Sequence, residues 1–257
     1  MSPSHRNNES PISSTTLRWG YATNVGRVRK VNQDAVWGNG SLFIVADGMG
    51  GHQGGEVASS ITVESMSSSG QVASVAELED AVNRANEQIR EKGAEDPSLG
   101  GMGTTVVAVG VLPASLHDGE LVLSAANVGD SRLYVYANGE LEQISIDHSL
   151  VGELERAGQI TADEASRHPQ RNVVTRALGA DANVEVDTWE LPAAYGQRYL
   201  LCSDGLVNEV SDEEIAELLE SVDDPYEAAE KLIKAANQSG GRDNITVLIL
   251  DVCDEES

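Results

Sequence analysis

Short apolar runs constrain the fold of this chain more than any other feature of its sequence. They cover residues 42–46, 105–112, 121–126, 132–137, 198–202 and 244–251, and their lengths are typical of β-strands. The runs around Leu200 and Val247 lack alternation between apolar and polar residues, so both faces of these strands need cover. We therefore expect layers, in which sheets pack against another sheet or against helices.

Helices are expected between groups of these runs, at residues 54–68, 75–92, 212–220 and 225–237. Three of them begin at recognisable caps: Ser74 with Glu77, Ser211 with Glu214, and Asp224 with Pro225. Helices that come in pairs between groups of strands favour an α+β class over a strictly alternating parallel sheet.

Two dipeptides indicate that strands pair in an antiparallel manner. Asn138-Gly139 lies between two apolar segments and is typical of a two-residue hairpin turn. Asp118-Gly119 lies between apolar runs in the same way, and we interpret it as a turn. At least part of the sheet structure is therefore expected to be antiparallel.

The apolar pattern indicates one domain. Residues 1–16 are rich in Ser, Asn, Thr and Pro without periodicity and are predicted to be a flexible tail, whereas residues 17–253 contain no linker-like stretch. No run approaches the roughly 20 apolar residues that a membrane helix needs. Cys202 and Cys253 form neither a disulfide framework nor a metal-binding pattern, which predicts a cytoplasmic protein.

The chain is strongly acidic, with 42 Asp and Glu residues, 17 Lys and Arg residues and a formal charge of -25 at pH 7. This charge argues against nucleic acid or an anionic membrane as a partner. Three basic residues nevertheless lie within four positions: Arg27, Arg29 and Lys30. They form either a solvated turn or an anion site, in which Arg29 is best suited to hold two phosphate oxygens.

Four aspartates lie at the ends of predicted strands: Asp47, Asp130, Asp204 and Asp243. Strand ends can converge at one edge of a sheet pair, where neighbouring carboxylates repel one another unless a cation holds them. Oxygen ligands without Cys or paired His favour Mg²⁺ or Mn²⁺ over Zn²⁺. Each Asp taken singly could also belong to an ordinary turn, but four such positions together predict a metal site.

Seven motifs follow one another between about residues 18 and 251: Gly26-x-x-Arg29-x-x-Asn32-Gln33-Asp34, Val45-Ala46-Asp47-Gly48-Met49-Gly50-Gly51, Gly103-Thr104-Thr105, Ala126-Asn127-Val128-Gly129-Asp130-Ser131-Arg132, Asp147-His148-Ser149, Ser203-Asp204-Gly205 and Gly241-Arg242-Asp243-Asn244. As an ordered set, they resemble the bacterial metal-dependent protein serine/threonine phosphatases of the protein phosphatase 2C family. The resemblance implies a four-layer α-β-β-α sandwich, with two antiparallel sheets flanked by helices and metal ions in a cleft at one end.

The resemblance also implies ligands for two ions of Mn²⁺ or Mg²⁺ and for a third ion found in bacterial members. Asp47 matches the carboxylate that bridges the two core ions. The Gly48 carbonyl matches a ligand of one of them, and Asp204 and Asp243 match ligands of the other. Asp130, together with Asp204, matches the third position.

Two further residues match functional positions. Arg29 matches the arginine that binds the substrate phosphate, and Asp34 matches a carboxylate that supports the metal through water. The implied reaction is attack of a metal-bridged hydroxide on phosphoserine or phosphothreonine in proteins, without a covalent intermediate. The implied partners are phosphorylated proteins, the products of serine/threonine kinases, and we expect a monomer.

This sequence departs from the family pattern at two positions. Met49 stands where animal members have a histidine proposed as general acid, and Gln33 replaces a glutamate common in many members. His52 is the nearest candidate acid, although we interpret it, like His148, as structural. Residues 149–179 correspond to a variable flap with two short helix signals, and we expect this flap to influence substrate choice.

Two other functions are compatible with the sequence. One is a catalytically silent relative that binds a phosphoprotein or regulates a partner by contact. Such a protein has no evident use for so many mutually repelling acids. The other is a metal-dependent hydrolase of phosphorylated small molecules.

Overall fold

The computed structural model describes residues 5–12, 15–50, 54–113 and 121–254. Their strands are β1 (His5–Ile12), β2 (Thr15–Asn24), β3 (Asp34–Gly38), β4 (Leu42–Met49), β5 (Gly103–Thr104), β6 (Val106–Val111), β7 (Val122–Val128), β8 (Arg132–Ala137), β9 (Glu140–Gln143), β10 (Asp187–Pro192), β11 (Arg198–Cys202) and β12 (Ile245–Asp254). Their α-helices are α1 (Gly54–Ser68), α2 (Val75–Glu95), α3 (Leu150–Arg156), α4 (Ala162–Ser166), α5 (Asp204–Val207), α6 (Asp212–Ser221) and α7 (Pro225–Ser239).

The described strands form two sheets that pack face to face between layers of helices. The first sheet has the order β1-β2-β12-β11-β8-β9, and the second has the order β10-β7-β6-β4-β3, with β5 paired to β4. The pairings are antiparallel. Helices α6 and α7 cover the first sheet, and α1 and α2 cover the second. The predicted four-layer α+β sandwich is therefore confirmed.

Strand β11 shows why two of the apolar runs lack alternation. Tyr199 and Leu201 face the core between the sheets, whereas Leu200 and Cys202 face the core beneath α6 and α7. Strand β12 divides its apolar side chains between the same two cores. Both faces of these strands are covered, so hydrophobic burial favours apolar residues at every position.

The helices begin at the predicted caps. The Ser211 hydroxyl accepts a hydrogen bond from the Glu214 N–H at 3.3 Å, and the Glu214 carboxylate accepts one from the Ser211 N–H at 3.4 Å. Ser74 caps α2 by accepting from the Glu77 N–H at 3.2 Å, although the Glu77 carboxylate accepts from the Ala73 N–H. Asp224 caps α7. These bonds satisfy N–H groups that have no partner within the helix.

The predicted hairpin turn joins β8 to β9. Asn138 has a φ of 54° and Gly139 a φ of 86°, and this left-handed pair is what a two-residue turn between twisted strands requires. The second predicted turn, Asp118-Gly119, lies outside the described residues.

The N-terminal segment differs from the predicted tail. His5–Ile12 forms β1, which pairs with β2 where the sequence predicts no regular element over 1–16. The outer edge of β2 offers backbone N–H and C=O groups, and an extended segment can bond to them without any apolar alternation of its own. Backbone pairing therefore produces a strand that periodicity does not predict.

The flap lies between β9 and β10 and contains the two predicted short helices, α3 and α4. Ser149 caps the first, and Thr161 forms a capping box with Glu164 at the second. Among the helices of the described residues, none is long and apolar enough to cross a membrane.

Gly20 allows α7 to pack directly on β2, because a Cβ at this position would overlap the backbone of Tyr226. We expect Gly20→Ala to lower the free energy of unfolding by about 1–3 kcal/mol, as overpacking of a core does. Gly93→Ala in α2 is the matched control, since its Cβ would lie 3.7 Å from the nearest atom; it should instead stabilise the protein by about 0.5–1 kcal/mol. Urea unfolding of both variants checks the prediction, and equal effects would contradict it.

Candidate active site

The predicted acids meet in one cleft at one end of the sandwich. A cavity of ≈ 290 Å³ is lined by Asp47, Asp130, Asp204 and Asp243, together with Gly48 and Arg29. Asp47 is near the end of β4, Asp130 follows β7, Asp204 follows β11 and Asp243 precedes β12. The two sheets therefore bring together acids that lie far apart in the sequence.

Asp47 is partly buried, and hydrogen bonds with its neighbours hold its backbone in place. Its N–H donates to the Thr105 hydroxyl at 3.0 Å, and its carbonyl accepts from the Thr105 N–H at 2.9 Å and the Thr104 hydroxyl at 2.8 Å. In the β3–β4 ladder, Asp47 pairs with Asp34. Burial raises the pKa of Asp47 well above its ordinary value, and the charges of Asp34 and Asp204 add to the shift.

Asp34 combines a hydrogen-bonded oxygen with an unpartnered one. Its Oδ2 accepts from the Ser203 hydroxyl at 2.8 Å and the Thr246 hydroxyl at 2.7 Å. Its Oδ1 is buried without a hydrogen-bond partner among the described residues. Burial raises the pKa of Asp34 to about 7 against the effect of both hydroxyl bonds, with further contributions from Asp204 and Asp243.

The pKa values of Asp130 and Asp204 are also raised by burial and by neighbouring negative charges. Burial raises the pKa of Asp130 to about 7, and the charges of Asp204 and Asp147 contribute in the same direction. Burial also raises the pKa of Asp204, followed by repulsion from Asp243, although Asn208 donates to its Oδ2 at 3.0 Å. The carboxylates thus lie in a site where positive charge would lower the free energy of the folded protein.

This donor set fits a hard divalent cation. It consists of carboxylates that resist ionisation, a backbone carbonyl at Gly48 and the unpartnered Oδ1 of Asp34. As the carboxylates stand, the described residues contain no group of three His, Cys, Asp or Glu side chains close enough to hold an ion by themselves. Mg²⁺ bound by one or two carboxylates usually keeps several waters among its ligands.

The basic cluster is divided by its surroundings. Arg29 lines the cavity and its Nη2 donates to Asp243 Oδ2 at 2.6 Å, whereas Arg27 donates to the Asn237 carbonyl at 3.3 Å. The loop that carries Arg29 is held by Asn244, whose amide donates to the carbonyls of Val25 and Val31 at 3.0 Å each. Of the three clustered basic residues, Arg29 is thus the one at the cavity.

Both departures from the family pattern lie at the cavity, since Gln33 is also one of its lining residues. Met49 lines the cavity, and the carbonyl of Gln33 accepts from the Gly48 N–H at 3.1 Å. His148 accepts from the Gly129 N–H through Nδ1 at 3.0 Å, as expected for a structural residue. His52 lies outside the described residues.

Several residues of the site were not singled out from the sequence. Ser203 and Thr246 hold Asp34, and Asn172 and Val174 of the flap line the cavity. Ser203 stands next to Asp204 in a recognised motif, which could have indicated its role. The flap residues carry no such signal, because their position depends on how the flap folds back over the cleft.

A larger cavity of ≈ 440 Å³ lies at the other end of β11, beside Arg18, Arg198 and Asp251. Arg198 donates to both oxygens of Asp251, at 2.7 and 2.8 Å, and to nearby backbone carbonyls. The charge of Asp251 is thus compensated by Arg198, in contrast to the mutually repelling aspartates of the smaller cavity.

The fold and the site define an α+β protein with a candidate divalent-cation cleft beside an arginine. The family model described as protein phosphatase 2C matches residues 26–238. The serine/threonine phosphatase stp of Listeria monocytogenes is 40% identical over 248 residues, which cover 90% of this chain and 94% of that protein.

Solved structures agree with this match. The Mycobacterium tuberculosis serine/threonine phosphatase PstP/Ppp has a TM-score of 0.85 and 39% identity, over 91% of this chain and 98% of that chain. The catalytic domain of PstP in complex with 2 manganese ions has a TM-score of 0.82 and 38% identity, over 93% of this chain and 100% of that chain. The chain belongs to the protein phosphatase 2C family.

The repulsion within the cleft predicts a stabilising substitution. In protein stripped of divalent cations at pH 8, we expect Asp47→Asn to raise the melting temperature by a few degrees, where about 2–4 °C corresponds to 1 kcal/mol at this chain length. At pH 8, above their pKa values of about 7, Asp34 and Asp130 are mostly charged. The neutral amide introduced at position 47 does not repel them as a carboxylate would. The gain should shrink towards pH 6, where these neighbours take up protons.

Scanning calorimetry at the two pH values measures this effect. Asp80→Asn, on the exposed face of α2, is the control and should leave the melting temperature unchanged. A melting temperature that falls in Asp47→Asn at pH 8 would contradict the repulsion.

Proposed function

We propose that this protein hydrolyses phosphoserine and phosphothreonine in proteins and that the reaction requires Mn²⁺ or Mg²⁺ bound in the acidic cleft. The observation that carries the proposal is the set of partly buried, mutually repelling aspartates that share a cavity with Arg29. A pure binding module has no use for this electrostatic cost. As a member of its family the chain is a protein phosphatase, and the geometry of the cleft supports the residue roles proposed below.

The residues proposed to hold two core ions are Asp47, the Gly48 carbonyl, Asp204 and Asp243, and Asp130 with Asp204 is proposed to hold a third. Asp34 is proposed to support the site through water, since its buried Oδ1 has no partner among the described residues. Bound cations would lower the pKa of water towards neutrality, so that a nucleophile is available near pH 7.

Arg29 is proposed to bind the substrate phosphate. Its guanidinium can donate to two phosphate oxygens and offset the charge that develops during in-line displacement. Its side chain is 51% exposed, so the guanidinium can release Asp243 and bind a phosphate while it stays at the edge of the cavity. Met49 has no proton to donate, and we propose that water in the cleft protonates the leaving serine oxygen.

The proposed partners are proteins phosphorylated by serine/threonine kinases. The flap supports this substrate class, because Asn172 and Val174 place it against the cavity, where a peptide would meet it. We further propose that the protein is a monomer and that it acts in the cytoplasm. Cys202 and Cys253 are both free thiols, which is compatible with a reducing compartment.

Hydrolysis of a phosphothreonine peptide and of p-nitrophenyl phosphate, with Mn²⁺ and after chelation, tests the proposal. We expect chelation to abolish both activities and Asp204→Asn to lower kcat/KM at least about 100-fold, because it removes a cation ligand. Asp80→Asn removes an equal charge from an exposed position and should retain activity.

Activity that survives both chelation and Asp204→Asn would contradict the proposal. Tight binding of phosphoproteins without turnover would favour the silent relative instead. Turnover of phosphorylated metabolites without turnover of phosphoproteins would favour a small-molecule hydrolase.

A further inference from the structure

His148 links the base of the flap to the turn that carries Asp130. The residue is 4% exposed, and its Nδ1 accepts a hydrogen bond from the Gly129 N–H at 3.0 Å. The His148 N–H donates in turn to the Gly129 carbonyl at 3.0 Å. Gly129 directly precedes Asp130, so the imidazole fixes the backbone next to a lining residue of the cavity.

The opposite side of the imidazole faces a carboxylate. Because Nδ1 accepts a hydrogen bond, the proton of the neutral ring lies on Nε2. This nitrogen is 3.2 Å from Asp187 Oδ2, to which it donates, and 3.0 Å from Arg176 Nη1, so Arg176 also contacts the imidazole directly. The other oxygen of Asp187 accepts from Arg176 Nη1 at 2.7 Å. Arg176 belongs to the flap and also contacts Glu185. A continuous set of contacts thus runs from Arg176 through Asp187 and His148 to Gly129.

The backbone of the flap is clamped at the same place. The Thr175 N–H donates to the His148 carbonyl at 2.8 Å, and the Leu150 N–H donates to the Val173 carbonyl at 2.9 Å. Ser149 and Val174 form an isolated bridge between these bonds. Val174 lines the cavity, so a shift of the flap over the cleft also moves the backbone of His148.

The turn at Gly129 has little freedom to absorb such a shift. Its φ is 106°, and a Cβ there would lie 2.6 Å from the Cβ of Thr105. The Thr105 hydroxyl is in turn 2.7 Å from the Ser131 hydroxyl and accepts from the Asp47 N–H. A displacement at Gly129 is therefore passed on to Asp130 rather than relaxed locally.

We propose that His148 is a positioning residue that couples the flap to Asp130. A substrate that moves the flap then changes the cation affinity at Asp130, and a cation at Asp130 changes the position of the flap by the same coupling free energy. The cation role of Asp130 rests on the proposed function, whereas the coupling between the flap and Gly129 does not.

Amide hydrogen exchange of Arg176→Ala tests the coupling, because Arg176 makes no hydrogen bond to Gly129 among those of the described residues. We expect the Gly129 and Asp130 amides to exchange at least about fivefold faster, a typical lower bound for coupled sites. His148→Leu should have the same effect while it keeps the site apolar. His148→Gln should restore slow exchange, since its amide can accept from Gly129 and donate to Asp187.

His168→Ala is the matched control. His168 is also a flap histidine, but its Nδ1 accepts from the Gln170 N–H within the flap. This variant should leave exchange at Gly129 unchanged. Arg176 is 27% exposed at its side chain, so its variant carries the test even if His148→Leu does not fold.

Faster exchange confined to residues 149–176 in Arg176→Ala, with normal protection at Gly129, would overturn the coupling.

Calorimetric titration with Mn²⁺ provides the second measurement. We expect Arg176→Ala to weaken the weakest Mn²⁺ binding step about fivefold and His168→Ala to leave it unchanged. Coupled exchange without any Mn²⁺ binding would refute the proposed function rather than the coupling, and an unaltered Mn²⁺ affinity in Arg176→Ala would overturn the link to Asp130.

Discussion

Repulsion among partly buried aspartates is the constraint on which the rest of this structure depends. Asp34 and Asp47 pair across neighbouring strands, and Asp204 approaches from the other sheet. Carboxylates at such positions destabilise a fold unless other interactions hold them in place. Here the sheets are covered by apolar cores on both faces, and hydroxyls of Thr105 and Ser203 bond to the acids or to their backbone. The stability that the apolar cores provide thus compensates for the repulsion among the carboxylates of the cleft.

The same constraint explains the pair formed by Arg29 and Asp243. In an acidic protein, the guanidinium nearest the cleft is attracted to a carboxylate of the cleft, and the two groups lie 2.6 Å apart. A cation near Asp243 and a phosphate near Arg29 would each weaken this pair. The proposed sites for the cation and for the substrate phosphate would therefore be linked through one ion pair, so that occupation of either favours occupation of the other.

The sequence predicts most of the layers and the acids of the cleft, because both depend on local patterns. Strand β11 was recognisable from an unbroken apolar run, and α6 from its capping box. Strand β1 was missed because it depends on the free edge of β2, and the contact of Ser203 with Asp34 was missed because it joins residues 169 positions apart. Asn172 and Val174 depend on the path of the flap. What the sequence does not reveal is thus the pairing of distant segments, which tertiary packing decides.

The most direct test of the account is the number of protons released when Mn²⁺ binds at pH 7, measured by titration calorimetry in buffers of different ionisation enthalpy. Asp34 and Asp130 have pKa values of about 7 and are close to half protonated at this pH. Cation binding requires ionised carboxylates, and the pKa of Asp47 is also raised, so we expect release of at least about one proton. Mn²⁺ binding with an enthalpy that is independent of the buffer would contradict it.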